Sequence, residues 1–285
     1  MHECILYKSL KGKSVQCFAC NHRCIIKENY SGICGVRKNI EGKLCLLVYG
    51  VIISENIDPI EKKPLFNFLP HTNTYSIGTI GCNFKCDFCQ NYGISQVKEI
   101  IGKKISAQEI VKRALKSGCK SISYTYNEPT IFAEFVKEIA VLAKEKGLKN
   151  ILVTNGYMTK ECMDFLGDYI DAMNIDLKSL NEDFYRKLCK SKLSPVLETI
   201  KYAYKKGIHI EITTLLIPGE NDSEKELKEI VKFISGISRE IPWHISRFFP
   251  MYKMRNKDIT SIGSLRKAEE IGKKYLKYVY VGNIW

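Results

Sequence analysis

The sequence has 285 residues, of which 45% are hydrophobic and 26% are charged. This composition is typical of a folded globular protein and excludes a disordered or collagen-like chain. No run approaches the 18 apolar residues of a membrane-spanning helix, so we expect no transmembrane segment.

The formal net charge of +13 raises the question of nucleic-acid binding. The basic residues comprise 36 lysines and only 8 arginines, and the lysines are scattered along the chain. Arginine is the residue suited to bidentate contacts with phosphate and guanine. The pattern therefore favours a lysine-rich surface, with diffuse attraction to acidic partners as the alternative, and nucleic acid is not the expected partner.

Cysteine is the second unusual feature, with 12 residues. The first residues, MHECILYKSLKGKS, lack the apolar core of a secretory signal, and we therefore expect a cytoplasmic protein. In a reducing compartment, clustered cysteines indicate metal binding or catalysis more often than disulfides. Five cysteines are dispersed and are predicted to be small apolar packing residues: Cys4, Cys45, Cys119, Cys162 and Cys189.

Residues 1–73 are predicted to form a small N-terminal appendage. It contains four closely spaced cysteines: Cys17, Cys20, Cys24 and Cys34. Thiolates this close predict a metal site, and both tetrahedral zinc and an auxiliary iron–sulfur cluster satisfy the ligand count. Two following segments, Leu44–Tyr49 and Val51–Glu55, are predicted to pair as strands.

From residue 74 onward, the sequence alternates between strand and helix patterns. Seven short runs rich in β-branched and aromatic residues predict strands: 74–82, 121–128, 150–156, 172–178, 209–218, 243–249 and 278–283. Ser106 and Ser223 each precede a helical pattern and have a glutamate three residues later, as helix N-caps do. Repeated βα units predict a parallel sheet, either open or closed into a barrel. Polar residues end most strands, and this favours a barrel, because barrels place their active sites at that edge.

The second cysteine cluster follows the first strand of this alternating region. Cys82, Cys86 and Cys89 have the spacing C-x3-C-x2-C. Their soft thiolates suit an iron–sulfur cluster or zinc. A structural zinc ion would need a fourth ligand, whereas a four-iron cluster on three thiolates leaves one iron open to a reacting ligand. The residues alone therefore leave an iron–sulfur cluster and zinc both possible.

The spacing, with an aromatic residue before the last cysteine, resembles the radical S-adenosylmethionine (SAM) enzymes. Other segments resemble the group related to pyruvate formate-lyase-activating enzymes and, more narrowly, the radical SAM member of the AmmeMemoRadiSam system: CNFKCDFCQN, SYTYNEPTIF, ILVTNG, MNIDLKS, LLIPGEND, WHISRFFP and YVYVGN. The resemblance implies a partial (β/α)6 TIM-type barrel over residues 74–285. It also implies a [4Fe-4S] cluster on Cys82, Cys86 and Cys89. This cluster would reductively cleave SAM to methionine and a 5′-deoxyadenosyl radical, which abstracts a hydrogen atom from the substrate.

The resemblance also suggests residues that bind SAM. Where relatives carry a Gly-Gly-Glu-type segment for the methionine amino group, this chain has Asn127 and Glu128; a turn with a glutamate at a helix start is the alternative. Thr154 and Asn155 end the third strand and can offer hydroxyl and amide groups to a ribose or carboxylate. Lys178 is expected at the SAM carboxylate.

Two of these assignments have a structural alternative. Asp176 and Lys178 alternate on the fourth strand and share a face, so they could equally form a buried network without a ligand. His244, on the sixth strand, is a candidate for catalysis or adenosine contact by resemblance. A lone strand histidine is more often held structurally.

The leading function is a radical SAM iron–sulfur enzyme with an unidentified substrate and Memo-like partner proteins. The first alternative is a glycyl-radical-enzyme activase that acts on a protein glycine. The second, from another class, is a zinc-dependent nucleic-acid-binding protein. Radical SAM chemistry also requires a one-electron donor, which we expect to be a flavodoxin or a ferredoxin.

Overall fold

The computed structural model of the chain describes residues 2–97 and 99–284. Its first eight strands are β1 (His2–Glu3), β2 (Tyr7–Ser9), β3 (Val15–Cys17), β4 (Ile25–Ile26), β5 (Arg37–Ile40), β6 (Lys43–Leu46), β7 (Val51–Ile52) and β8 (Ser54–Pro59). The later strands are β9 (Asn73–Gly78), β10 (Lys103–Lys104), β11 (Ser121–Tyr124), β12 (Lys149–Thr154), β13 (Ala172–Asp176), β14 (His209–Leu216), β15 (Trp243–Arg247) and β16 (Val279–Gly282).

Most of the helices connect the later strands. They are α1 (Tyr92–Ser95), α2 (Ala107–Lys116), α3 (Ala133–Glu145), α4 (Lys160–Leu166), α5 (Glu182–Phe184), α6 (Ser194–Lys205), α7 (Glu224–Ile237) and α8 (Ile262–Lys273). Shorter turns of 3-10 or π type are Lys11–Lys13, Ile60–Lys62, Pro129–Phe132, Gly167–Tyr169 and Tyr185–Cys189. In the described part of the chain, no helix is both long enough and apolar enough to cross a bilayer.

One eight-stranded sheet organises the chain, in the order β16-β15-β14-β13-β12-β11-β9-β8. Neighbours from β9 to β16 pair in parallel, while β8 pairs antiparallel with β9. The seven strands predicted from residue 74 onward are confirmed, and so is the α/β class. Since all seven parallel strands point the same way, their carboxyl ends meet at one edge of the sheet.

Several strands end earlier than the sequence predicts. β11 stops at Tyr124, two residues before Tyr126, whose φ of +68° is incompatible with an extended strand. β9 likewise ends at Gly78, four residues before Cys82. The polar residues predicted at these strand ends therefore lie in loops beyond the sheet.

The N-terminal strands pair differently from the prediction. Segments 44–49 and 51–55 do not pair with each other: β6 lies between β1 and β5, β7 pairs with β10, and β8 joins the main sheet. A turn at Gly50, with φ of +72°, separates them. β8 belongs to the predicted appendage but pairs with β9, and the boundary between residues 73 and 74 falls inside β9.

Helix N-caps follow the sequence prediction. The Ser106 hydroxyl accepts a hydrogen bond from the Glu109 amide at the start of α2, and the Ser223 hydroxyl does the same from the Glu226 amide at α7. The longer helices each bury an apolar face, such as Leu227, Ile230 and Val231 on α7. These faces cover the sheet and leave its carboxyl edge for the polar loops.

Candidate active site

Nine of the predicted site residues line one cavity at the carboxyl edge of the sheet. We call it the main cavity; its volume is about 240 Å³. The three cysteines of residues 82–89, here the second cysteine loop, form one wall. The predicted SAM-binding side chains on the other walls are Asn127, Glu128, Thr154, Asn155, Asp176 and Lys178. The fold thus brings together residues that are up to 96 positions apart in sequence, as their positions at strand ends predict.

The residue immediately before the second cysteine loop must be glycine. Gly81 has φ of +89°, and a Cβ atom there would lie 2.6 Å from the Cys34 carbonyl oxygen. Asn127 fixes the same stretch: its Oδ1 accepts from the Thr79 amide at 3.1 Å, and its Nδ2 donates to the Gly81 carbonyl at 3.0 Å. Asn127 therefore holds the loop that carries Cys82, and its polar atoms already have protein partners.

Of the three cysteines in this loop, Cys86 is buried, and Cys82 and Cys89 are partly buried. Burial is the main cause that raises the pKa of Cys82 and of Cys89 above the ordinary value, while a hydrogen bond with Cys189 is the main cause for Cys86. Cys82 Sγ accepts from the Phe84 amide at 3.4 Å, and Cys89 Sγ lies 3.2 Å from the Ser95 hydroxyl. Binding a cation would stabilise the thiolate forms.

Glu128 is a buried carboxylate with several protein donors. Its Oε1 accepts from the Thr130 amide at 3.0 Å and the Thr154 hydroxyl at 2.7 Å, and its Oε2 accepts from the Asn155 amide at 2.7 Å. Burial raises its pKa despite these bonds. Glu128 caps the turn at Pro129, as the helix-start alternative predicts, and it also lines the main cavity.

Asp176 and Lys178 form an ion pair at the end of β13. The Lys178 ammonium lies 2.7 Å from Asp176 Oδ2, and the Lys178 side chain is 11% exposed. Burial alone would lower the pKa of Lys178, but the neighbouring Asp176 carboxylate holds it well above its usual value. The pair supplies a positive and a negative group to the main cavity side by side.

His244 is the one residue of the predicted SAM site that does not line the main cavity. Its Nε2 lies 2.6 Å from Glu211 Oε2, and the ring stacks on Tyr280. Glu211 also accepts from the Phe66 and Asn67 amides, at 3.0 and 2.8 Å. His244 lies near the amino end of β15, and the structure gives it the structurally held environment that was the alternative.

Sequence reasoning missed several cavity residues. Ser246 lies on the face of β15 that carries His244, two residues nearer the carboxyl end, and it lines the main cavity. Thr213, on β14, also lines the main cavity. The signal was present, because strand-end position favours Ser246 over His244 on the same face. Tyr126, in the segment SYTYNEPTIF, also lines this cavity.

The four N-terminal cysteines line a different and much smaller cavity. Residues 17–34, here the first cysteine loop, contribute all four thiols to a cavity of about 10 Å³, and Arg37 also contacts it. Arg37 is buried and forms an ion pair with Glu134, whose side chain is 1% exposed. The Arg37 Nε donates to the Ile131 carbonyl at 2.8 Å. The walls are otherwise apolar, and we call this the N-terminal cavity.

The first cysteine loop contacts the second directly. His22 Nε2 lies 2.8 Å from the Asn83 carbonyl oxygen. The Asn21 amide donates to the Tyr157 carbonyl at 2.9 Å, and Cys20 forms an isolated antiparallel bridge with Met158. The first loop therefore abuts both the second loop and the segment after Asn155, two walls of the main cavity.

Free thiols account for all twelve cysteines. Within residues 2–97 and 99–284, no three His, Cys, Asp or Glu side chains are arranged to hold a single metal ion. The five dispersed cysteines are buried, as predicted: Cys4, Cys45, Cys119, Cys162 and Cys189. Of these, Cys189 contacts the second cysteine loop, through Cys86.

Known proteins were compared with the chain. The family model described as the Radical SAM superfamily matches residues 76–234. An uncharacterized protein of Methanocaldococcus jannaschii is 46% identical over all of this chain and 86% of its own length. A putative glycyl-radical enzyme activating enzyme of that organism is 30% identical over 75% of this chain and 83% of its length. A solved domain of a pyruvate-formate lyase-activating enzyme from Bacteroides vulgatus aligns with a TM-score of 0.50 and 21% identity, covering 57% of this chain and 99% of that domain.

Proposed function

The chain belongs to the radical SAM superfamily and is an enzyme of that class, and from this premise we propose that its main cavity binds a [4Fe-4S] cluster and SAM together. The observation that carries the proposal is the meeting of three thiols and six predicted polar side chains in one cavity of about 240 Å³. When bound, the cluster would supply the electron that cleaves SAM to methionine and a 5′-deoxyadenosyl radical, which takes a hydrogen atom from the substrate.

The donor set fits such a cluster. Cys82, Cys86 and Cys89 offer three soft sulfur ligands from one short loop, and these ligands are typical of iron–sulfur sites. Three protein ligands leave one iron open to a further ligand. Cys189 is buried beside Cys86, and we assign it to packing and not to the ligand set.

The polar walls are suited to the amino-acid part of SAM. We propose that the Lys178 ammonium binds the SAM carboxylate and that Asp176 accepts from its amino group. Glu128 Oε2 has one donor, the Asn155 amide, and so retains acceptor capacity for the same ammonium. Thr154 and Asn155 would contact the ribose or carboxylate. Phe84, Phe88 and Leu215 add apolar wall that keeps water from the reacting atoms.

The parallel strands support a partial barrel. Six connections join the seven parallel strands β9 to β16 in sequence order, with β10 outside this sheet. We propose that the sheet curves into the partial (β/α)6 arrangement, with the active site at its carboxyl edge. A cytoplasmic location and a flavodoxin or ferredoxin electron donor remain part of this proposal.

The two versions of the proposed function differ in their substrate. We propose hydrogen abstraction from a substrate presented with Memo-like partner proteins. The name of the 30%-identical relative, a putative glycyl-radical enzyme activating enzyme, favours the second version, in which the substrate is a protein glycine. Both versions require the same cavity and the same cofactors.

We propose that the N-terminal cavity binds a structural metal. Its four thiols converge from residues 17–34. A cavity of about 10 Å³ holds roughly one water-sized atom, which favours a single zinc ion over a second four-iron cluster. Side-chain rotation of the thiols toward the cavity centre would be needed to complete a tetrahedral site.

Anaerobic reconstitution tests the proposed activity. Protein supplied with iron and sulfide, then dithionite and SAM, should form 5′-deoxyadenosine. The Cys86→Ala variant should lose this product, whereas Cys119→Ala, a buried packing cysteine outside both cavities, should retain it. Unchanged product in Cys86→Ala would overturn the cluster assignment. A protein that binds RNA with a steep salt dependence and forms no product would favour the nucleic-acid alternative.

A further inference from the structure

Basic side chains from distant parts of the sequence converge on the outside of the second cysteine loop. The loop itself, the segment 186–192 and one later lysine contribute six of them, which we call the basic patch: Lys85, Arg186, Lys187, Lys190, Lys192 and Lys253. We infer that the basic patch is the docking surface for an acidic protein that carries a one-electron redox group and delivers its electron to the cluster. This inference rests on the proposed function.

Backbone hydrogen bonds attach the second segment of the basic patch to the second cysteine loop. The Lys85 amide donates to the Cys189 carbonyl at 3.1 Å, and the Asp87 amide donates to the Leu188 carbonyl at 2.9 Å. Between these two amides, the Cys86 thiol forms a hydrogen bond with the Cys189 thiol. The segment therefore packs directly against a proposed cluster ligand, and a donor that binds to its outer side is brought close to the cluster.

The side chains of the basic patch reach solvent on one side of this contact. Lys190 and Lys192 are exposed, while the residues that follow each of them are buried, so both lysines point away from the core. The Lys85 ammonium donates to the Cys82 carbonyl at 3.3 Å. Lys85 and Lys192 both lie close enough to His22 for their charges to act on its ring. The loop and the segment 186–192 thus contribute charge to one continuous surface.

The acidic residues beside the basic patch do not neutralise it. Asp87 lies 3.7 Å from the Lys190 ammonium and 3.1 Å from the Lys253 ammonium, so two cations share one carboxylate. Asp183 is likewise shared by two basic side chains of the patch, at 2.9 Å from each. Together with Glu182, three acidic residues face six basic ones, which leaves a net charge of +3. Such a surface steers an acidic partner towards it and speeds association.

Composition and position favour a redox protein over a nucleic acid. Five of the six basic residues are lysines, whose mobile point charges lack the bidentate geometry with which arginine binds phosphate. Small, transient interfaces are typical of electron-transfer partners, which must separate after each electron. In the step that the patch would serve, the donor is oxidised by one electron and the cluster is reduced by the same electron.

Binding of an acidic flavodoxin and of an acidic ferredoxin, tested separately, examines the inference on the reconstituted full chain. The double variant Lys187→Glu, Lys192→Glu reverses two exposed charges outside the second cysteine loop. Calorimetry at low salt should show about tenfold weaker binding of the donor, and its salt dependence should become shallower. Formation of 5′-deoxyadenosine driven by the reduced donor should fall, whereas formation driven by dithionite, which needs no docking surface, should stay at the wild-type level.

The double variant Lys146→Glu, Lys205→Glu is the matched control. Both lysines are exposed, and they lie where α3 and α6 end, before β12 and β14 begin at the amino edge of the sheet. This variant has the same net charge as the patch variant but should bind the donor like the wild type. Equal weakening in the two variants would show that only the overall charge matters and would overturn the inference.

The dithionite reaction separates this inference from the proposed function. A wild-type chain that forms product with dithionite but binds neither donor protein would overturn the inference and leave the proposed function intact. Wild-type affinity for the donor in the patch variant would do the same. A wild-type chain that forms no product with dithionite would contradict the proposed function, and this inference would fail with it.

Discussion

The two cysteine loops use the same ligand chemistry in opposite surroundings. The second loop faces a cavity of about 240 Å³ that polar side chains from neighbouring strands enter. The first loop encloses about 10 Å³, with apolar walls and the buried Arg37–Glu134 pair behind it. A large cavity with polar side chains is typical of a site where a ligand binds and reacts. A small, enclosed cysteine site is typical of a structural metal site. Cysteine spacing alone does not make this distinction.

The largest effect is expected when Arg37, which pairs with Glu134 beside the N-terminal cavity, is replaced. Arg37→Met should leave Glu134 as a buried, unpaired charge and destabilise the chain by about 3–5 kcal/mol. Arg186→Met is the matched control, because its partner Asp183 is exposed; the expected loss there is about 0–1 kcal/mol. Urea denaturation measures both. Equal losses would show that the N-terminal cavity does not depend on this pair.

Glu211 supplies a reference network outside both cysteine loops. Burial opposes its charge, but hydrogen bonds from His209 and His244 lower its pKa to about 2. Since the folded-state pKa lies below the ordinary value of 4.5, its stabilisation is present above pH 4.5 and is lost as the pH falls towards 2. The loss should approach roughly 3 kcal/mol.

Thermal unfolding across that pH range checks the Glu211 prediction. Glu211→Gln should reduce the difference in melting temperature between neutral and acidic pH. It should leave the metal content of both cysteine loops unchanged. A Gln variant with the acid sensitivity of the wild type would contradict the assignment. Loss of iron or zinc in this variant would show that metal binding at the cysteine loops depends on the Glu211 network.

Lys178 should separate SAM binding from cluster binding. Lys178→Met removes a charged hydrogen-bond donor from the main cavity, which should weaken SAM binding by about 2 kcal/mol, or ~30-fold. Iron and sulfide content should stay unchanged. Lys149→Met is the control, because Lys149 pairs with Asp171 at 2.7 Å and its side chain is 50% exposed. Anaerobic calorimetry that gives the same affinity for both variants would exclude Lys178 from the SAM site.

His22 links the two loops and should give the smallest effect. His22→Ala removes the contact with the Asn83 carbonyl, worth about 1 kcal/mol, and should speed amide exchange in residues 84–89 about fivefold. His71→Ala replaces an imidazole that is 94% exposed and should leave that exchange unchanged. Identical exchange in both variants would mean that the first loop does not restrain the second.

Local pattern and strand direction predicted most of the fold and site. Runs of β-branched residues gave the seven parallel strands, and parallel direction placed Cys82, Glu128 and Lys178 at one edge. His244 shows the limit. It shares a strand face with Ser246, but Ser246 lies two residues nearer the carboxyl end of β15 and is the one that lines the main cavity.

Long-range partners explain the remaining differences. The segments 44–49 and 51–55 contain short strands with little local preference. Packing elsewhere in the fold determines their partners, which are β1, β5, β9 and β10. The contact between His22 and Asn83 joins residues 61 positions apart. No periodicity in the sequence encodes such a pair, so the link between the two cysteine loops emerges only from the fold.

Metal and sulfide analysis of one triple variant tests the central claim most directly. In the Cys82→Ala, Cys86→Ala, Cys89→Ala protein, prepared anaerobically beside the wild type, we expect the loss of about four irons with their sulfide. One zinc per chain should remain at the first cysteine loop, and no 5′-deoxyadenosine should form. Iron and sulfide retained at the wild-type level, with product still formed, would contradict the assignment of the cluster to the second cysteine loop.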